Sequence, residues 1–327
     1  MNTIEFGDCR ETMRRWASHG IKAQMCVTSP PYFGLRDYGH DGQIGLEETP
    51  DAYIAAMVEV FRCVRDVLSD DGTVWLNIGD SYANDGKWGG SSGGKHAKAL
   101  HGNTSIGRTK VTTGLKPKDL IGIPWMLAFA LRADGWFLRQ DIIWHKPNPM
   151  PESVTDRCTK AHEYIFMLTK KERYYYDHEA VKEPAVSTDI RKFTDNGADK
   201  QRGHGRKHAG FNGRYADKIA EQGVPETRNR RSVWTVATRP YKGAHFATFP
   251  ETLIEPCILA GAPLDGIVLD PFMGSGTTAA VAKKHGRQYL GCELNPDYGV
   301  LQQERLMEKE GPAEAAQGVQ HPGESDD

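Results

Sequence analysis

Gly266-Ile267-Val268-Leu269-Asp270-Pro271-Phe272-Met273-Gly274-Ser275-Gly276 passes from an apolar run through an acid into a glycine-bearing turn. A short apolar run bounded by turn residues predicts a buried strand. Thr277 to His285 predicts a helix, and Arg287 to Cys292 a second strand that ends at Glu293. Strand, glycine loop, helix and strand make a parallel β-α-β unit, so the class is α/β with a Rossmann-like sheet. In such a sheet ligands sit beyond the carboxyl ends of the strands. Asp270 and Glu293 stand at two such ends, 23 residues apart. An acid about 20 residues after a glycine loop suits the two hydroxyls of a ribose. Gly274 and Gly276 let a ligand come close to the backbone.

Two nucleotide-binding patterns fail on detail. A P-loop needs a lysine before its Ser/Thr, and here Gly276 precedes Thr277. The dinucleotide fingerprint needs a third glycine at fixed spacing, which is missing. The loop also opens with an acid, Asp270, which repels phosphate but suits a positively charged nucleoside. S-adenosylmethionine, with a sulfonium, an ammonium and a ribose, has that character.

A second stretch, Thr28-Ser29-Pro30-Pro31-Tyr32, follows the predicted strand Ile21 to Val27. Each proline fixes its own φ and lacks an N–H, and biases the residue before it toward extended backbone. Ser29 and Pro30 are thereby stiff, with carbonyls that no helix takes up. Rigid acceptors beside the Tyr32 ring suit a planar ligand with an amino group, such as a nucleobase. A plain Pro-Pro loop is the competing reading of these five residues alone.

The 327 residues, 39% hydrophobic and 26% charged, describe a globular chain able to bury a full core. No apolar run reaches the length of a membrane span, and the first residues lack the features of a signal peptide. Six scattered cysteines without a C-x-x-C pair argue against zinc and against disulfides, as expected of a cytoplasmic protein. The net charge of -2 conceals an uneven pattern. Residues 1–84 and 232–327 each carry 7 Lys/Arg against 13 Asp/Glu, whereas residues 85–231 carry 27 against 17. A basic middle between acidic ends suggests a face for a polyanion.

Along the chain, residues 3–16 predict an extended piece ending at Gly7-Asp8 and then a helix. Ile54, Met57, Val58, Phe61, Val64 and Leu68 recur at helical spacing in a helix over 51–68, with Asp51 as N-cap. Ser69-Asp70-Asp71-Gly72 breaks it, and Thr73 to Ile78 predicts a strand. Residues 84–118 predict a mobile basic glycine-rich loop. Asp119 to Asp134 predicts a helix, Phe137 to Trp144 and Glu163 to Thr169 strands, with Tyr174-Tyr175-Tyr176 extending a hairpin. Residues 182–231, with 12 Lys/Arg and few apolar residues, predict an insertion against the main domain. Val233 to Ala237 predicts a strand, Phe249 to Ala260 a helix opened by Pro250, and residues 311–327 a disordered tail. Residues 1–181 and 232–310 are thus two halves of one domain.

With both anchors in view, the chain resembles the β group of amino-methylating DNA methyltransferases. The cofactor loop of that family is matched by Asp270 to Thr278, and its catalytic motif by Thr28 to Tyr32. The catalytic motif precedes the cofactor motif, with the target-recognition region between them, as in that group. Ile142 to Pro151 and His245 to Pro250 resemble two further family segments, near the target-base pocket and over the methionine part of the cofactor.

The resemblance implies an S-adenosylmethionine-dependent methyltransferase acting on a base flipped out of double-stranded DNA, at a cost of a few kcal/mol. Stacking on Tyr32 would return about 1–3 kcal/mol. Ser29 Oγ and the Pro30 carbonyl would accept from the amino group and turn its lone pair toward the methyl, with Pro31 and Tyr32 completing the motif. Asp8, Thr28, Phe249, Asp270, Pro271, Phe272, Gly274, Ser275, Gly276, Thr277 and Glu293 are the expected cofactor residues. Asp8 is equally well placed as a helix N-cap. Lys146, Arg191, Lys192, Arg202, Arg206, Lys207 and Arg214 are the expected DNA contacts, and no metal is needed. Ser29, neutral where adenine-modifying relatives often carry Asp, favours N4 of cytosine over N6 of adenine. A non-catalytic nucleic-acid-binding protein is the alternative from another class. A cognate restriction endonuclease, and a monomer or homodimer, are the expected partnerships.

Overall fold

The structure is a computed structural model and describes residues 1–35, 39–40, 42–83, 114–185, 221, 223, 225–238 and 249–307. The expected DNA contacts Arg191, Lys192, Arg202, Arg206, Lys207 and Arg214 lie outside the described residues, as do 84–113, 239–248 and the tail.

In chain order the elements are β1 (Thr3–Phe6), α1 (Cys9–Ser18), β2 (Ala23–Thr28), α2 (Pro50–Val67), β3 (Leu68–Ile78) and α3 (Ile123–Ala133). Then come β4 (Phe137–His145), β5 (His162–Thr169), β6 (Glu183–Pro184), β7 (Thr227–Arg228) and β8 (Val233–Thr235). The last are α4 (Glu251–Gly261), β9 (Ile267–Asp270), α5 (Thr277–Lys284), β10 (Gln288–Glu293) and α6 (Tyr298–Met307).

Eight strands form one sheet in the order β1-β10-β9-β2-β3-β5-β4-β8. Among the described strands of this sheet, only β5 runs against its neighbours, antiparallel to β3 and β4. The other strands all end on one edge, and β5 begins there. The chain leaves β9 toward β10 and leaves β2 toward β3, so it departs in opposite directions from two adjacent strands. That divergence is a topological switch point, where a crevice opens above the strand ends. It joins distant parts of the sequence, since Cys26 pairs with Leu269.

Alternation along the strands feeds a core on each face. Val74, Leu76 and Ile78 of β3 pack with Met57, Phe61, Val64 and Leu127 on the side of α2 and α3. Trp75 points the other way, into a cluster with Met25, Val27, Ile254 and Val281 on the side of α4 and α5.

Four local expectations need correction. The N-cap of α2 is Thr49, whose hydroxyl accepts from the Ala52 N–H, and Asp51 sits in the first turn instead. Ser69 to Gly72 do not separate helix from strand; they lie within β3 as an irregularity across which the pairing jumps from Leu68 to Thr73. Tyr174 to Tyr176 add no strand, although the Tyr175 N–H donates to the Asp71 carbonyl. α6 was not anticipated. At the insertion, β6 and β7 pair its two ends, with a Glu183–Arg228 ion pair at 2.8 Å.

Candidate active site

β2 ends at Thr28 and β9 at Asp270. Thr28 is fully buried and its hydroxyl donates to Asp270 Oδ1 at 2.6 Å. Asp270 is 1% exposed; Oδ1 also accepts the Phe272 N–H at 3.0 Å, and Oδ2 accepts the Thr278 hydroxyl at 2.6 Å. One carboxylate therefore ties two strand ends to the glycine loop and the first turn of α5. Burial pushes its pKa up to about 6, against the pull of these three donors. Thr28 and Asp270, both among the expected cofactor residues, are buried and bonded to each other at the crevice wall.

Gly274 and Gly276 have φ of 53° and 85°, a region that side chains rarely adopt. The turn they permit brings the Gly274 N–H to Glu293 Oε2 at 2.8 Å, while Oε1 accepts the Asn295 N–H at 2.8 Å. A carboxylate has about four acceptor positions, so Glu293 can still receive a pair of ligand hydroxyls. Burial raises its pKa, and the backbone donors oppose that.

From α6, Gln302 donates to the Gly274 carbonyl at 2.7 Å. Arg305, 5% exposed, donates to Ser275 Oγ at 3.0 Å and to Thr277 Oγ1. Ser275 and Thr277, both among the expected cofactor residues, are buried with their hydroxyls against Arg305. Sequence reasoning missed Gln302 and Arg305; their signal is two polar residues three apart on one helix face.

Pro271 is buried, and Phe272 is half-buried against the α2 side of the core. Phe249 is half-buried against the other cluster, just before α4. Asp8 caps α1, accepting the Arg10 N–H at 2.7 Å and pairing with its guanidinium. It remains beside Glu293, because the Gly7 N–H donates to the Glu293 carbonyl at 2.8 Å.

Across the switch point, Pro30 is buried while Ser29, Pro31 and Tyr32 are half-buried. The Tyr53 hydroxyl of α2 donates to the Pro31 carbonyl at 2.9 Å, which pins the Pro-Pro turn. Tyr32 Oη donates to Glu163 Oε2 at 2.7 Å, with Asn77 Oδ1 a second, longer acceptor at 3.4 Å. Burial first, and then the Glu163 charge, push the Tyr32 pKa well up. Asn77 Nδ2 donates to Glu163 Oε2 at 3.3 Å and to the Tyr164 carbonyl at 3.1 Å. Gly79 lies against the Tyr32 ring: an added Cβ would sit 2.7 Å from Tyr32 Cε2.

Lys146, expected among the DNA contacts, is turned into this network. Its ammonium pairs with Glu163 Oε1 and lies 4.2 Å from the centre of the Trp144 ring. Glu163, Asn77 and Tyr53 were not anticipated as parts of the site. Glu163 opens an antiparallel strand, and no local motif marks it.

A family model described as DNA methylase matches residues 23–303. The chain is 45% identical over 309 residues to the type II methyltransferase M.SmaI of Serratia marcescens, covering 94% of this chain and 91% of that one. It is 46% identical over 306 residues to M.Cfr9I of Citrobacter freundii, covering 93% and 87%. Among solved structures, the fold is similar to the cytosine-N4-specific PvuII DNA methyltransferase, with TM-score 0.58, 17% identity, and 93% and 85% of the two chains covered. A putative DNA modification methylase from Thermus thermophilus, complexed with S-adenosyl-L-methionine, gives TM-score 0.54 at 22% identity, covering 94% of each chain.

Proposed function

The chain belongs to the DNA methylase family, and on that premise we propose that it methylates the exocyclic N4 of a flipped cytosine in double-stranded DNA. S-adenosylmethionine is the cofactor. When bound, it supplies an electrophilic methyl group on a sulfonium. The observation that carries the proposal is the joining of two motifs 242 residues apart by the Thr28–Asp270 hydrogen bond. That bond sets the rigid Ser29-Pro30-Pro31-Tyr32 turn beside the glycine loop at the switch point.

The residues fit the cofactor. Asp270 and Glu293 occupy adjacent strand ends, and burial raises the pKa of both. A cationic ligand would relieve that cost. The Glu293 carboxylate suits the ribose hydroxyls, and the half-buried Phe272 and Phe249 suit the adenine and the methionine portions.

On the substrate side, Ser29 Oγ and the Pro30 carbonyl accept from the amino group and draw its nitrogen out of conjugation. The Pro-Pro stiffness and the Tyr53 bond keep those acceptors in place, so the rate gain comes mainly from orientation. A neutral Ser29 is a weaker acceptor than a carboxylate, which favours cytosine. The test is digestion of DNA methylated with labelled cofactor and identification of the modified nucleoside. N4-methylcytosine is expected; N6-methyladenine as the sole product would reject the base assignment and keep the enzyme class.

Gly79→Ala probes the Tyr32 platform. The added methyl would drive the ring from its seat, with Glu163 Cδ only 3.3 Å from the same point. Overpacking of this kind costs about 1–3 kcal/mol. The variant is expected to lose transfer rate while binding cofactor normally in a calorimetric titration.

A further inference from the structure

We propose that α6 is a cofactor-coupled clasp, in which Gln302 and Arg305 are positioning residues that hold the glycine loop in the shape that receives S-adenosylmethionine. The proposal rests on the cofactor reading above and deepens it.

A helix packed on a domain normally turns its apolar stripe toward the core. α6 does the reverse. Its two buried residues are Gln302 and Arg305, while Val300 and Met307 are exposed and Leu306 is only partly buried against the core. Burying an amide and a guanidinium costs free energy unless hydrogen bonds offset it. Both side chains make such bonds to the loop between β9 and α5.

Those bonds fall where the loop's shape is decided. Gly274 and Gly276 take positive φ, 53° and 85°. Gln302 Nε2 donates to the Gly274 carbonyl at 2.7 Å, and the N–H of the same glycine donates to Glu293 Oε2 at 2.8 Å. Both main-chain polar groups of Gly274 are thus held, one by the helix and one by the acid that suits the ribose. Arg305 donates to Ser275 Oγ at 3.0 Å and to Thr277 Oγ1, the residues on either side of Gly276. Gly276 itself lies against the helix, where an added Cβ would sit 3.4 Å from Gln302 Cα.

A helix docked through the loop and a loop shaped by the helix are thermodynamically linked. If docking of α6 strengthens cofactor binding, cofactor strengthens the docking of α6 by the same factor. A helix that served only as a cover would show no such response.

The test uses the full chain and S-adenosylmethionine, with calorimetry for binding and hydrogen–deuterium exchange for α6. Gln302→Met keeps the length of the side chain and removes its donors, so a packing role predicts the wild-type dissociation constant. The clasp predicts a dissociation constant about 10-fold higher, the scale of one lost buried hydrogen bond. Single-turnover transfer to unmethylated amplified genomic DNA at saturating cofactor should stay within about threefold of wild type. That split separates a binding defect from a failure of chemistry. Arg305→Lys, which retains a donor, should bind cofactor more tightly than Arg305→Met. Cofactor should slow amide exchange in α6 of the wild type and leave it nearly unchanged in Gln302→Met. Wild-type binding by Gln302→Met, or α6 exchange in the wild type that ignores cofactor, overturns the clasp and leaves the enzyme class standing. Should Gln302→Met not fold, the exchange experiment on the wild type decides alone. Absence of cofactor binding by the wild-type chain overturns the cofactor reading as well.

Discussion

Asp270→Ala is expected to destabilise the protein by about 3–5 kcal/mol and to remove measurable cofactor binding. The carboxylate receives the Thr28 hydroxyl, the Thr278 hydroxyl and the Phe272 N–H, all in a site where Asp270 is 1% exposed. Truncation leaves three buried donors without a partner, each costing about 1–3 kcal/mol and not strictly additive. The glycine loop and the end of β2 lose their common fastening, so both halves of the crevice should loosen. Urea unfolding gives the stability, and calorimetry with S-adenosylmethionine gives the binding. A variant that unfolds at the wild-type midpoint and binds cofactor would refute this role.

Asp270→Asn separates charge from shape. The folded pKa, about 6, lies above the reference 3.8. The native state therefore holds this proton more tightly than the unfolded chain. The stability contributed by the group is fully present below about pH 4 and is lost as pH rises through about 6. Two pKa units correspond to an upper bound of roughly 3 kcal/mol. Asparagine accepts from Thr28 and Phe272 through its oxygen, while the Thr278 hydroxyl can turn to accept from its amide. Measured between pH 4.5 and 7.5, the stability of the variant should gain on wild type as pH rises. A constant difference would rule out a buried charge at this position.

Ser29→Ala is expected to lower the methyl-transfer rate about 1,000-fold, the scale of lost proton handling and lost orientation together. Cofactor binding should stay near wild type, because Ser29 lies on the far side of the Thr28–Asp270 bond from Glu293. DNA binding should also persist, so the loss should appear in the single-turnover rate and not in the dissociation constants. A rate within threefold of wild type would remove Ser29 from the reaction. The backbone supports this separation. Pro30 is buried and the Pro31 carbonyl is held by Tyr53, so the turn survives loss of one hydroxyl.

Much of this architecture is written in local sequence. The apolar run into Asp270, the glycines at positive φ and the acid at Glu293 specify a β-α-β unit, because backbone sterics and strand burial act over a few residues. The two prolines after Thr28 stiffen the opposing turn for the same reason. Boundaries moved where a neighbour intervened. Thr49 displaced Asp51 as a cap, and β3 ran on through Ser69 to Gly72 because Leu68 still pairs with Ala23.

The division of labour within the site is a tertiary matter. The motifs that carry the family resemblance named Thr28, Asp270, Ser275 and Thr277 as cofactor residues from the sequence alone. The bonds from Thr28 to Asp270 and from Arg305 to Ser275 and Thr277 follow from how β2, β9 and α6 pack. Glu163 is the sharpest case. It carries no motif and lies 131 residues from Tyr32. Only an antiparallel strand between β3 and β4 brings it to the edge where the parallel strands end, because a hydrogen-bonded sheet joins residues by register and not by sequence distance.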